Sequence, residues 1–220
     1  MRTIVSWSSG KDSAWALHRL QGTAGVEVVG LMTTLDKQRQ RVGMHGTRRR
    51  LVEAQAAAVG LPVEILEIDF PAPNDVYDRL MLGFVERALA GGVEAIAFGD
   101  LYLEDIRAYR ESRLAGTGLR PLFPLWGSDT RELALEMIEG GLDARLIAID
   151  LKQVPRRFAG ARFDRELLSA LPAGIDPCAE RGEFHTAVVD GPMFSAPLDV
   201  VVGSIEERDG FVYADLASRL

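Results

Sequence analysis

Short apolar or β-branched runs at residues 3–7, 26–35, 63–69, 94–100 and 144–151, each bounded by Gly, Pro or Asp, alternate with segments of helical periodicity. No other feature constrains the fold as much. Leu51, Ala54 and Ala58 recur at helical spacing before Gly60 and Pro62, and Tyr77, Leu80, Met81 and Phe84 do so before Gly91 and Gly92. A further helix is predicted over 129–139, with Leu133, Met137 and Ile138 as its buried stripe, Ser128 or Asp129 as its cap and Gly140 with Gly141 as its stop. Parallel neighbours need a crossover segment. Alternation with short connections therefore predicts an α/β doubly wound, Rossmann-like parallel sheet covered by helices on both faces.

Residues 101–126 break the rhythm, charged at first and then rich in Gly and Pro, and read as a functional excursion. Beyond Leu151 the chain mixes a short helix over 164–171, a strand near 186–190 and two strand-like runs around Asp209 and Gly210, a hairpin signal. This predicts a smaller C-terminal α+β unit, with a nucleotide-binding domain over 1–125 and a substrate-binding domain over 126–220. Val200 to Val202 and Phe211 to Tyr213 would suit either a homodimer edge or pairing within the chain.

The 220 residues, 47% of them hydrophobic, suffice for a substantial core. No apolar run approaches the roughly 20 residues of a membrane helix, so no membrane partner and a cytoplasmic location are expected. The net charge of −7 disfavours broad attraction to nucleic acid. The single cysteine, Cys178, can form no internal disulfide and supplies no zinc pattern.

The first predicted strand runs directly into SSGKDS, residues 8–13, and then a helix. In an open parallel sheet, ligands lie beyond the carboxyl ends of the strands. Amides at a helix start, the helix dipole and a close approach allowed by Gly10 would hold a phosphate there. Ser8, Ser9 and Ser13 add hydroxyls, Lys11 could offset phosphate charge, and Asp12 could hold a bridging Mg²⁺. The turn is neither a Walker A loop nor a G-x-G-x-x-G turn. The alternative is that these residues merely cap a helix.

The turn resembles the PP-loop of the N-type ATP pyrophosphatases, Ser-Gly-Gly-x-Asp-Ser, with Ser9 where the first Gly usually stands. The block GEFHT, Gly182 to Thr186, with the preceding DPCAER, resembles the diphthine ammonia ligase family. So do FGDLYLEDIRAYRE, PLFPLWG with Trp126, and MHGT at Met44 to Thr47, in the family's order. Ala179 and Arg181 depart from the pattern, which has Gly and a small or amide residue there.

This resemblance implies an AMP-forming amide ligase that adenylates a carboxylate with ATP and Mg²⁺ and then transfers ammonia, supplied as ammonium. The acceptor would be diphthine on elongation factor 2 or an unknown carboxylate. Ser8, Ser9, Gly10, Asp12 and Ser13 would grip the pyrophosphate portion. Glu183 and His185 alternate along an extended segment and would face one way; Glu183 could hold ammonium and His185 could donate to a substrate oxygen, or the pair could simply join two domains. Gly182, Phe184 and Thr186 complete the proposed acceptor site, with Glu104 beside it. Asp100 could orient ribose or metal, and Met32 and Thr33, ending the second strand, could meet adenine or be plain core.

Other residues carry weaker signals. Thr47 to Arg50 could bind an anion, although a solvated surface is the simpler reading. Two other functions stay open: a tRNA-modifying PP-loop enzyme, disfavoured by the charge and the lone cysteine, and an adenine-nucleotide-binding regulator without turnover.

Overall fold

The computed structural model describes residues 1–43, 45–69 and 71–218. Its first sheet is built from β1 (Arg2–Ser6), β2 (Glu27–Asp36), β3 (Arg41–Val42), β4 (Val63–Ile68), β5 (Ala95–Ala97) and β6 (Arg120–Leu122). β1 lies at the centre and pairs in parallel with β2 and β5; β4 extends the sheet beyond β2, and β6 beyond β5, both in parallel. Only β3 runs antiparallel, against Leu35 and Asp36.

Helices cover both faces. On one, α1 (Lys11–Gln21) and α2 (Arg49–Val59) pack Trp15, Leu17, Val52 and Ala56 against Val5, Leu31 and Ala97. On the other, α3 (Asn74–Ala90) and α4 (Glu104–Leu114) bring Phe84, Val85 and Leu114 against Ile4, Met32, Ile96 and Phe98. The split follows from the pleat, since adjacent residues of a strand point to opposite faces. The buried residues of α2 are Leu51, Val52, Gln55 and Ala56, so the stripe is rotated from the expected Leu51–Ala54–Ala58 line.

Residues 101–126 are not an excursion. They hold α4 and β6, a further crossover that adds a parallel strand at the sheet edge. The run at 144–151 is β7 (Asp143–Asp150), but it does not join the parallel sheet. It pairs antiparallel with β8 (Phe184–Asp190) and β10 (Phe211–Ser218), and β9 (Val200–Arg208) closes a second sheet of order β8-β7-β10-β9. Phe211 to Tyr213 thus sit between two strands of the same chain, and the hairpin at Asp209 and Gly210 pairs within the chain.

α5 (Thr130–Glu139), capped by the Asp129 side chain, lies against α1, where Glu136 accepts from Trp15 Nε1 at 2.8 Å. α6 (Arg165–Ala170) is capped by Asp164. One apolar cluster joins the two sheets, from Val5 and Leu31 through Ala144, Leu146, Phe163 and Phe184 to Val188. β8 therefore runs directly beside the turn that follows β1.

Candidate active site at the first strand–helix turn

The turn after β1 is compact because it is over-determined. Ser9 adopts a left-handed φ of 72°, where a side chain is unfavourable. Three contacts hold it there. Its hydroxyl meets that of Thr47 at 2.6 Å, and its carbonyl accepts from Val188 N and Gln55 Nε2, each at 3.0 Å. Gln55 is itself fully buried and also accepts from Trp7 Nε1 at 2.9 Å.

Gly10 caps α1, and a Cβ there would meet the Thr186 carbonyl at 3.1 Å, a tight contact, so the close approach of β8 favours glycine. The Gly10 N–H is 3.3 Å from Ser8 Oγ, the Lys11 N–H donates to Thr186 Oγ1 at 3.1 Å, and the Ser8 and Ser13 hydroxyls are 3.1 Å apart. Two of the turn's amides are thus engaged within the chain, Ser13 Oγ donates to the Gly10 carbonyl at 3.0 Å, and the remaining first-turn amides mark where an anion would sit.

Lys11 does not face that position. Its ammonium is buried, donates to Asp12 Oδ2 at 2.9 Å and to the Cys178 carbonyl, and lies 5.7 and 5.8 Å from the centres of the Phe163 and Phe184 rings. Burial opposes its charge, but the adjoining Asp12 carboxylate outweighs that and raises its pKa. The long, flexible side chain turns inward because carboxylate, carbonyl and ring faces compensate its charge there. Asp12 keeps one oxygen, Oδ1, buried without a hydrogen-bond partner. Burial pushes its carboxyl pKa up, against the opposing pull of Lys11.

Glu183 and His185 do not form a common face. Glu183 precedes β8, is 1% exposed, and accepts from Asp176 N at 3.2 Å and Arg181 N at 3.0 Å. Its carboxylate holds the 176–183 loop rather than an open ligand position. Gly182 sits in that loop at φ 79°. Phe184 is core, and Thr186 serves the turn as described. His185 packs against His45 with ring centres 4.4 Å apart and planes tilted by 45°, and its Nε2 is buried without a partner. Burial, then the charge of Lys11, lowers its pKa to about 4.

Asp100 lies 3.3 Å from Arg110, Glu104 is exposed at the start of α4, and Met32 and Thr33 are buried, Met32 in the core facing α3 and α4. Arg48 is bound to Asp215, and Arg49 to Glu53 and Glu67, so these arginines are occupied by carboxylates. Of the MHGT segment, Met44 lies outside the described residues.

Several neighbours of the turn carried no individual signal. Glu180 accepts from Leu101 N at 2.8 Å, joining the 176–183 loop to the end of β5; burial, with Asp12 and Asp100 nearby, raises its pKa to about 7. Asp176 accepts from Tyr102 Oη at 3.0 Å. Tyr102, Asp176 and Arg181 line a cavity of about 350 Å³ with Ser128, Asp129, Thr130 and Gly174. DPCAER and YLED were legible as segments, but only folding brings them together.

Among the described residues no helix is long and apolar enough to cross a membrane, and no group of three or more His, Cys, Asp or Glu is placed to hold a metal. Asp12 Oδ1 is nonetheless a fitting single ligand for a Mg²⁺ otherwise held by phosphate and water, since that ion commonly takes only one or two protein carboxylates.

The chain is similar to proteins named diphthine–ammonia ligase. It is 28% identical to that of Schizosaccharomyces pombe over 135 residues, 59% of this chain but only 22% of that protein's length. It is 27% identical to that of Danio rerio over 96% of this chain and 91% of that one, and 23% identical to that of Homo sapiens over 99% and 89%. Among solved structures, a U34-tRNA thiolase from Methanococcus maripaludis matches with a TM-score of 0.38 and 17% identity, over 62% of this chain and 55% of that one, too slight a likeness to carry an argument. The model of the diphthamide synthase N-terminal domain matches residues 1–121, more than half of the chain, and that of the C-terminal domain matches 129–217, so the chain belongs to the diphthamide synthase family.

Proposed function

We propose that this protein is an ATP-dependent, AMP-forming amide ligase that adenylates a carboxylate and transfers ammonia to it, with the diphthine carboxylate of elongation factor 2 as the acceptor. The observation that carries this reading is the Ser8–Ser13 turn: it closes the carboxyl end of the central parallel strand, starts α1, and keeps Asp12 Oδ1 buried and unpaired. The family and the relatives' names support the choice of acceptor.

In this reading the α1 start and the Ser8 and Ser13 hydroxyls bind the phosphate chain, and Gly10 lets it approach the backbone. Asp12, with its unpaired Oδ1, is the residue that would hold Mg²⁺. When bound, that ion offsets charge building on the phosphates. Lys11, turned inward, keeps Asp12 ionised rather than touching phosphate. The cavity beside Tyr102, Asp176 and Arg181 receives the acceptor carboxylate, with the Arg181 guanidinium as its counter-charge. The carboxylate oxygen attacks the α-phosphorus and pyrophosphate leaves; ammonia then attacks the acyl carbon and AMP leaves. Positioning the reactants supplies most of the rate.

Product analysis tests this: protein, ATP, Mg²⁺ and ammonium, with and without diphthine-bearing elongation factor 2, and Asp12→Ala as control. AMP and pyrophosphate that depend on both Asp12 and diphthine support the proposal. Asp12-dependent AMP without diphthine dependence replaces the acceptor; ADP, or no product despite ATP binding, overturns the chemistry.

A further inference from the structure

Gln55 lies where the helix pattern asks for an apolar residue. It shares the buried face of α2 with Leu51, Val52 and Ala56, and is itself fully buried. An amide in such a place is unfavourable unless its polar atoms are paired. All of them are. Oε1 accepts from Trp7 Nε1 at 2.9 Å, and Nε2 donates to the Ser9 carbonyl at 3.0 Å and to the Val188 carbonyl at 2.7 Å. A carbonyl acceptor and two N–H donors are what a carboxamide offers, and the charged side chains of similar length do not offer them: an ionised Glu cannot donate and Lys cannot accept.

The three partners come from three segments that meet at the candidate active site. Trp7 follows β1, Ser9 is the left-handed residue of the turn, and Val188 lies in β8 of the second sheet. The Ser9 carbonyl also accepts from Val188 N at 3.0 Å, so Gln55 and Val188 grip the same oxygen. Because a peptide unit is planar, holding this carbonyl also sets the direction of the Gly10 N–H and the line on which α1 begins. Two residues before Val188, Thr186 meets Lys11 N, and upstream of β8 lies the 176–183 loop beside the cavity given to the acceptor. We propose that Gln55 is a positioning residue for the nucleotide: its amide presets the Ser9–Gly10 peptide against β8, so that the start of α1 is aimed at the β- and γ-phosphates before ATP arrives. This rests on the ligase reading and extends it to the residue that organises the turn.

A buried amide can serve packing alone. This one restrains a residue at φ 72°, a conformation that Ser leaves readily once its restraints go. Without the Gln55 amide two restraints on Ser9 remain, the Thr47 hydroxyl and the Val188 N–H, and neither ties the turn to α2. The turn would then be ordered by ATP itself, and that ordering is subtracted from the binding free energy. The β- and γ-phosphates, whose oxygens must meet amides in a fixed geometry, carry this loss. AMP lacks them, and in this reading the turn grips the pyrophosphate portion, so AMP is spared.

The test compares ATP with AMP, each with Mg²⁺, in calorimetric titrations of wild type, Gln55→Met and Gln55→Glu, at a temperature where thermal melting shows each protein fully folded. Gln55→Met keeps the length of the side chain and removes its amide. Its Kd for ATP should rise roughly tenfold, the worth of one hydrogen bond, with the Kd for AMP within about twofold of wild type. Gln55→Glu at about pH 6, where burial keeps the carboxyl neutral, retains the acceptor and one donor and should lose less. If Gln55→Met does not fold, the ATP-to-AMP comparison is read from Gln55→Glu. Affinity for ATP within twofold of wild type, equal losses for ATP and AMP, a Gln55→Glu loss as large as that of Gln55→Met, or failure of both variants to fold would each overturn the proposal, the last because Gln55 would then support the fold rather than the turn. A wild type that binds ATP more tightly than AMP yet forms no AMP with ammonium and diphthine-bearing elongation factor 2 would defeat the ligase reading instead.

Discussion

The Ser9 and Thr47 hydroxyls lie 2.6 Å apart, so the left-handed residue of the turn after β1 is tied to the segment that carries His45. Ser9→Ala would keep the unfavourable φ of 72° and leave the buried Thr47 hydroxyl unpaired, whereas Ser9→Gly would lose the same bond but relieve the backbone. Ser9→Ala should therefore unfold at lower urea than Ser9→Gly, by about 1 kcal/mol, the cost of a side chain in the left-handed region. Equal midpoints would show that the turn stores no such strain.

Lys11 is an internal tether, its ammonium held by Asp12 and the Cys178 carbonyl. Lys11→Met would keep the stem but strand the Cys178 carbonyl and Asp12 Oδ2. Lys11 is buried but Asp12 is 28% exposed, so the loss is that of leaving polar acceptors unsatisfied, about 1–3 kcal/mol, and the variant should be destabilised by that amount in chemical denaturation. A variant with native stability and reduced ATP affinity would place the ammonium on phosphate instead.

Gly99 touches the start of α1: a Cβ there would lie 2.8 Å from the Asp12 carbonyl carbon and 2.9 Å from Ser13 N. Both are backbone atoms that cannot step aside. Gly99→Ala should cost about 1–3 kcal/mol of stability by overpacking and lower nucleotide affinity in calorimetric titration. Retention of both would mean that the β5 loop and the turn move independently.

Glu180 links folding to pH. Its pKa is about 7 in the folded chain, against 4.5 ordinarily. Between those values the folded state holds more proton than the unfolded one, so this group's contribution is full below about pH 4.5 and is lost as pH rises through 7. Glu180→Gln removes the ionisation and keeps an acceptor for Leu101 N. The melting temperature of the variant should rise relative to wild type from pH 5 to 8, and a constant difference would show that Glu180 is not perturbed.

The sequence by itself determined the parallel sheet around β1, the helices on its two faces, a cap at Ser128 or Asp129 that the structure assigns to Asp129, and the Ser- and Gly-rich turn at the end of the first strand. These follow from period, capping chemistry and turn residues, which act over a few neighbours and can be read locally. The tertiary structure decided the rest. An apolar strand pattern is the same in either sheet, so only its partners β8 and β10 assign β7 to the antiparallel one. Glu183 and His185 share a spacing that would align them on one strand, but β8 begins at Phe184 and the Glu183 carboxylate turns back to the 176–183 loop. Lys11 reads as a phosphate ligand until β8, Phe163 and the Cys178 carbonyl supply a buried place for its charge. The His45–His185 contact joins segments far apart in the chain, and contacts between distant segments are created by packing rather than by local pattern.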